Sequence, residues 1–144
     1  MAQTFSSSPN VASFGSESVS TTSPGYQAFV ILRTAFTVAP IVAGLDKFFN
    51  LLVNWEQYLP AFMKNLTGGH GHELMLAVGV IEIVAGLGVA FKPRLFAYVV
   101  SAWLLLIVVN LLMIPGYFDV ALRDFGLSLG ALALARLSHE YGPR

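Results

Sequence analysis

The chain lacks cysteine, and it has few charged residues of either sign. The absence of cysteine excludes a disulfide, a thiolate nucleophile and a cysteine-ligated iron–sulfur cluster within this chain. Charged residues make up 11% of its 144 residues, whereas soluble domains average about 25%. The formal net charge is zero, which argues against nucleic acid as a partner. Hydrophobic residues make up 56% of the chain, so the composition indicates an integral membrane protein whose first partner is the lipid bilayer.

Four apolar segments are long enough to predict membrane-spanning helices. They cover residues 27–49, 74–91, 95–114 and 118–138. Between the first two, residues 51–66 are apolar at helical spacing and contain Trp55 and Tyr58. This pattern favours a short interfacial helix broken at Pro60. The predicted fold is therefore all-α, a four-helix transmembrane bundle with a short interfacial helix between the first and second spans.

The composition divides the chain into three parts. Residues 1–25 form a polar, Ser/Thr-rich N-terminal tail, residues 26–138 form the membrane domain, and residues 139–144 form a short C-terminal tail. More lysines and arginines fall on the side of the membrane that holds both termini than on the other side. This bias predicts that both termini are cytoplasmic. We expect the membrane to be a bacterial-type plasma (inner) membrane.

Several charged residues lie inside the predicted spans. Between Asp124 and Arg136 there are eleven uncharged residues, which at roughly 1.5 Å per residue cover about half of the ~30 Å hydrocarbon layer. Charges pulled into the membrane are costly, and they usually face the protein interior. In the predicted topology five polar residues approach the non-cytoplasmic leaflet and Glu82 lies deeper; the five are Asp46, Lys47, Asn110, Arg123 and Asp124. The predicted ligand-binding cluster consists of Lys47, Glu82, Asn110 and Arg123, with Asp46, Asp124 and Arg33 as supporting residues.

Small residues indicate where helices pack closely. Gly79 and Gly86 share a helical face with Glu82, which predicts that this carboxyl lies in a groove where a second helix approaches. Gly126 and Gly130 have the GxxxG spacing beside Arg123 and predict another close-packing face.

Three groups of these residues resemble the DoxX and DoxX-like family of small membrane proteins. The groups are Arg33 with Gly44-Leu45-Asp46-Lys47, Glu82 with Gly86 and Gly88, and Arg123-Asp124. The resemblance covers about residues 32–137, and it implies a four-helix membrane fold. It also implies an association with membrane oxidoreductase assemblies, since the family includes a subunit of thiosulfate:quinone oxidoreductase or terminal quinol oxidase.

The histidines do not favour a haem or a metal centre. His139 lies at the cytoplasmic end of the predicted bundle, whereas His70 and His72 lie in the opposite loop, so no two face each other across helices. Two histidines on a glycine-rich loop are a weak metal signal. We therefore predict no metal site and no covalently bound cofactor, and quinone is the candidate ligand.

Two interpretations of the polar cluster stay open at this point. It is either a network of charges that holds the helices in register, or a site with spare hydrogen-bonding capacity for a quinone oxygen or an anion. The first functional hypothesis is an integral membrane subunit, itself without a redox centre, of a quinone-linked oxidoreductase in respiratory or sulfur-linked electron transfer. The alternatives are an accessory or structural subunit of a larger membrane complex and a small solute or proton transporter that uses Glu82.

Overall fold

The computed structural model describes residues 20–144, so most of the predicted N-terminal tail lies outside the described residues. All regular secondary structure between residues 20 and 144 is helical, as predicted. The elements are α1 (Pro24–Phe49), a 3₁₀ turn (Trp55–Tyr58), α2 (Ala61–Leu66), α3 (Gly71–Phe91), α4 (Pro93–Leu112) and α5 (Phe118–Tyr141). The four long helices begin and end within a few residues of the predicted spans, because long apolar runs are the strongest signal a sequence gives.

Three of the long helices are long and apolar enough to cross a membrane, namely α1, α3 and α4. Helix α5 has 24 residues, but it carries three charged residues in its first two turns and two more near its end. These are Asp119, Arg123, Asp124, Arg136 and Glu140. The structure therefore supports a helical membrane protein with three apolar spans.

The segment predicted as one interfacial helix is instead two short pieces. The 3₁₀ turn Trp55–Tyr58, here called the cap turn, is separated from α2 by Leu59 and Pro60. Pro60 immediately precedes α2, where its missing N–H costs no helical hydrogen bond. Leu59 and Pro60 are both buried, so this connection packs against the bundle.

The long helices run antiparallel around a shared core. Helix α1 packs most closely on α3, where Gly44 meets Gly79 and Thr37 meets Gly86, in opposite chain order. Helix α4 packs on α5, and Ser101 Oγ donates to the Ser128 carbonyl at 2.9 Å. The core includes Phe29, Phe36, Val89, Val100, Ala131 and Leu134.

Aromatic contacts show which helix ends lie together. The Tyr26 and Phe29 rings of α1 lie 5.9 and 6.2 Å from the Tyr141 ring of α5. The start of α1, the end of α5 and the short α3–α4 turn therefore share one end of the bundle, here called the terminal end. The cap turn, α2 and the α4–α5 turn share the opposite end, here called the cap end.

The glycines predicted to mark close-packing faces divide into two groups. A Cβ added at Gly86 would lie 2.7 Å from the Thr37 carbonyl oxygen, and one at Gly44 would lie 2.5 Å from the Gly79 carbonyl oxygen. The predicted contact face of α3 is thus confirmed. Gly130 meets Phe36, but a Cβ at Gly126 would have no neighbour within 4 Å among residues 20–144. Of the two GxxxG positions, the structure therefore shows a helix contact at Gly130, while Gly126 is exposed.

Replacement of these glycines by alanine gives a matched test of the α1–α3 contact. We expect Gly86→Ala to lower the free energy of unfolding by about 1–3 kcal/mol, because backbone oxygens cannot move aside cheaply. Gly126→Ala has no clash, and better helix propensity should raise stability by up to about 1 kcal/mol. Reversible unfolding in mild detergent measures both values. Equal effects of the two substitutions would contradict the described packing.

Candidate functional site

A buried ion pair joins α1 to α3. Lys47 Nζ lies 2.6 Å from Glu82 Oε2, and the two residues are 3% and 9% exposed. Gly79, one turn before Glu82, gives the lysine stem room to pass, since a Cβ there would lie 3.2 Å from Lys47 Cβ. The structure thus brings together two members of the predicted cluster, and the small-residue face of α3 is what allows it.

The Trp55 side chain covers the lysine. Lys47 Nζ lies 3.7 Å from the centre of the Trp55 ring, which is a cation–π contact. The ring is fixed by its own indole N–H, since Trp55 Nε1 donates to Asp46 Oδ2 at 2.8 Å. The sequence favoured an interfacial anchor for the Trp55 segment over a lid on the polar site, and the structure places the Trp55 ring over the lysine of the ion pair.

Asp46 shapes the chain that leaves α1. Its Oδ1 accepts hydrogen bonds from the backbone N–H groups of Leu51 at 2.9 Å and Leu52 at 3.1 Å. Asn50, between them and the helix, adopts φ 50°, a left-handed conformation that reverses the chain. The carboxylate of Asp46 is therefore engaged with the connection, and its role is to position Trp55.

Side chains from the other helices fasten the cap turn. Asn110 Nδ2, near the end of α4, donates to the Tyr58 carbonyl at 2.9 Å. The Tyr58 ring stands edge-on to the Tyr117 ring at 5.1 Å, just before α5. His72 Nδ1 lies 2.9 Å from Glu56 Oε1 at the start of α3. Asn110 thus belongs to the site through the cap turn, and it does not contact the ion pair by a hydrogen bond.

Two further groups lie close to the Glu82 carboxyl. The Trp103 indole of α4 faces it, and Asp124 of α5 is near enough for its charge to act on Glu82. Trp103 Nε1 is buried and has no hydrogen-bond partner within residues 20–144. Trp103 was not among the predicted site residues, although one polar atom on an apolar helix, on the same face as Asn110, was a usable signal.

The two predicted arginines do not join this group. Arg33 lies fourteen residues before Lys47, roughly 21 Å along the helix, and its Nη2 donates to the Ala90 carbonyl near the terminal end. Arg123 is exposed, whereas its neighbour Asp124 is half-buried. Neither arginine takes part in the ion pairs found among residues 20–144.

Within that range no group of three or more histidine, aspartate or glutamate side chains is placed to hold a metal ion. The site consists of a buried ion pair, a buried indole N–H that faces its carboxylate and a second carboxylate nearby. Such a set can donate hydrogen bonds to a polar group and can exchange protons with it.

A double-mutant cycle tests whether Lys47 and Glu82 act as one unit. Lys47→Met alone leaves a buried carboxylate without its partner, and we expect it to lower the free energy of unfolding by about 3–5 kcal/mol. Adding Glu82→Gln removes that charge, so the double variant should be more stable than Lys47→Met alone. Unfolding in mild detergent gives the coupling energy. Additive effects of the two substitutions would show that the pair is not coupled.

Comparisons of the chain with protein-family models, with curated proteins and with solved structures gave no match. The likeness to DoxX-like proteins therefore rests on the residues quoted for it and is a hypothesis.

Proposed function

We propose that the chain is an integral membrane subunit, without a redox centre of its own, of a quinone-linked oxidoreductase in respiratory or sulfur-linked electron transfer. The observation that supports this best is the buried Lys47–Glu82 pair beneath Trp55, inside a bundle of apolar helices. A quinone needs polar groups at its headgroup and apolar walls along its tail, and this end of the bundle offers both. The motifs that resemble the DoxX-like family also support the proposal.

The proposal includes α5 as a fourth span, with both termini cytoplasmic in a bacterial-type inner membrane. Helix α5 packs along α4, and it contacts α1 where Gly130 meets Phe36 and where Tyr141 meets Tyr26. It therefore lies side by side with the apolar helices. At roughly 1.5 Å per residue its 24 residues reach about 36 Å, enough to cross. The terminal end carries Lys92, Arg94 and Arg136, which favours the cytoplasmic side.

Single-cysteine labelling tests this topology, and the natural absence of cysteine provides a clean background. We expect His70→Cys and Gly116→Cys to react with a membrane-impermeant thiol reagent from the periplasmic side. Lys92→Cys and Arg144→Cys should react only after the membrane is opened. Labelling of Gly116→Cys and Arg144→Cys from the same side would show that α5 does not span.

In the proposed chemistry, the quinone headgroup takes the place of the Trp55 ring against Lys47. The Lys47 ammonium then donates a hydrogen bond to one carbonyl oxygen, and Trp103 Nε1 provides a further donor near Glu82. Reduction of a quinone consumes two electrons and two protons. The two electrons come from a redox centre on a partner subunit, which is oxidised. The Lys47–Glu82 pair holds one exchangeable proton, so it passes two protons in turn from water at the cap end to the two quinone oxygens.

An accessory or structural role in a larger membrane complex is the second candidate, and the outer face of α5 favours it. Arg123 is exposed there, and Gly126 leaves open space beside it. A charged side chain next to a small residue is a combination by which a helix of another subunit can approach closely and form an ion pair. The two candidates are compatible, because a quinone-site subunit also needs partners.

One experiment on the purified parent complex separates the candidates. We expect a photoreactive quinone analogue to label this chain, and Glu82→Gln to lower labelling and quinone-dependent activity at least about tenfold, with the partner subunits retained. The matched control is Glu73→Gln, an exposed glutamate of the same helix, which should change neither.

Other outcomes would contradict the first candidate. Normal labelling in Glu82→Gln, together with loss of partner subunits in Arg123→Leu, would assign the accessory role. A chain that purifies without partners and conducts protons in liposomes in a Glu82-dependent way would instead support transport.

A further inference from the structure

Helix α1 carries a groove at the terminal end, far from the Lys47–Glu82 pair. The groove, here called the α1 groove, has a volume of about 370 Å³, and its lining includes Tyr26, Phe29, Val30, Arg33, Thr37 and Val38. This volume lies within the usual range for ligand sites, about 300–1,000 Å³. Val30 and Val38 are 42% and 52% exposed, so the groove opens sideways, toward the surface that faces lipid in a spanning bundle.

Arg33 is the positive charge of this groove, and its guanidinium carbon lies 5.8 Å from the centre of the Phe29 ring. Its one described hydrogen bond runs from Nη2 to the Ala90 carbonyl oxygen. A guanidinium has five N–H donors, so several stay available. The ion pairs found in the described part of the chain do not include Arg33. A guanidinium with spare donors beside an apolar groove is a binding group for an anion that enters the groove.

The depth of Arg33 selects the kind of anion. Its acceptor, Ala90, is the next-to-last residue of α3, so the guanidinium lies at the level where that helix ends and Lys92 begins the turn. A bundle that spans the membrane places this level beside the lipid headgroups. The rest of the groove extends from there toward Val38, deeper in the apolar region.

A second polar group lies one helical turn deeper than Arg33. Thr37 Oγ1 is buried and has no hydrogen-bond partner within residues 20–144. Four residues on a helix correspond to roughly 6 Å. A glycerophospholipid carries its phosphate at the headgroup and its ester carbonyls a similar distance deeper, whereas a free anion has no group to place at Thr37.

We propose that the α1 groove binds an anionic glycerophospholipid. The phosphate accepts hydrogen bonds from Arg33, whose planar guanidinium suits phosphate oxygens. An ester carbonyl accepts the Thr37 hydroxyl, and an acyl chain lies along Val38. This site is independent of the proposed quinone chemistry, because it is at the other end of the bundle and shares no residue with it.

Lipid binding to the full chain in detergent tests the proposal. The probes share the same acyl chains: phosphatidylglycerol, zwitterionic phosphatidylcholine and phosphate-free diacylglycerol, with inorganic phosphate as a fourth probe. Native mass spectrometry measures the apparent affinity of each. We expect phosphatidylglycerol to bind most tightly, and Arg33→Gln to weaken it roughly tenfold or more, as loss of a hydrogen bond to a charged group predicts.

The control is Arg136→Gln, which removes an exposed arginine at the same end and should leave the affinity unchanged. Because Arg33→Gln also removes the bond to Ala90, Val38→Trp provides a second test that keeps Arg33 and fills the exposed part of the groove. It should weaken phosphatidylglycerol binding as well. Quinone labelling should be normal in both variants, so failure of this proposal is distinguishable from failure of the proposed function.

Three results would overturn the lipid site. Equal loss in Arg136→Gln and Arg33→Gln would show attraction by general surface charge. Equal affinity for diacylglycerol would show that the phosphate has no part. Tight binding of inorganic phosphate alone, lost in Arg33→Gln, would show a simple anion site.

Discussion

The Lys47–Glu82 ion pair is the constraint on which the cap end of the structure depends. Two opposite charges at 2.6 Å are tolerable in an apolar bundle only if nothing separates them and each has further hydrogen-bonding or cation–π contacts. Gly79 lets α1 approach α3 closely enough, and the Trp55 ring supplies the cation–π contact. The glycine face and the ion pair occupy the same stretch of α3, so the close approach of α1 to α3 and the burial of the two charges depend on the same residues.

The polar residues around the pair divide by what they do. Asp46 accepts a hydrogen bond from the Leu51 backbone N–H, and Asn110 donates one to the Tyr58 carbonyl. Both side chains therefore hold the cap turn in place. Trp103 and Asp124 lie near Glu82, and the buried Trp103 indole N–H faces the Glu82 carboxyl without a hydrogen bond of normal geometry within residues 20–144. A buried N–H needs an acceptor, and either the Glu82 carboxyl or a bound polar group can serve. The indole is therefore compatible with both a registry role and a ligand site.

The sequence predicted the helices and one helix face well, since apolar runs and the Gly79, Glu82 and Gly86 spacing are local signals. It did not predict how α5 is rotated, because glycines at positions 126 and 130 suggested a contact that only Gly130 makes. Helical spacing groups residues on a face but does not say which neighbour the face meets. The Trp55–Asp46 contact also could not be predicted from the sequence, because it depends on the chain reversal at Asn50.

Lys47, Arg33 and Arg123 lie in long helices, and each charge has a different environment near the apolar part of the membrane. Lys47 is neutralised inside the chain by Glu82. Arg33 uses one backbone carbonyl and keeps spare donors beside an apolar groove. Arg123 stays exposed near the start of α5, where a long side chain can reach water or a partner. Of these three residues, only Lys47 has an ion-pair partner within residues 20–144, so the two arginines are the positions where lipid or another protein can supply one.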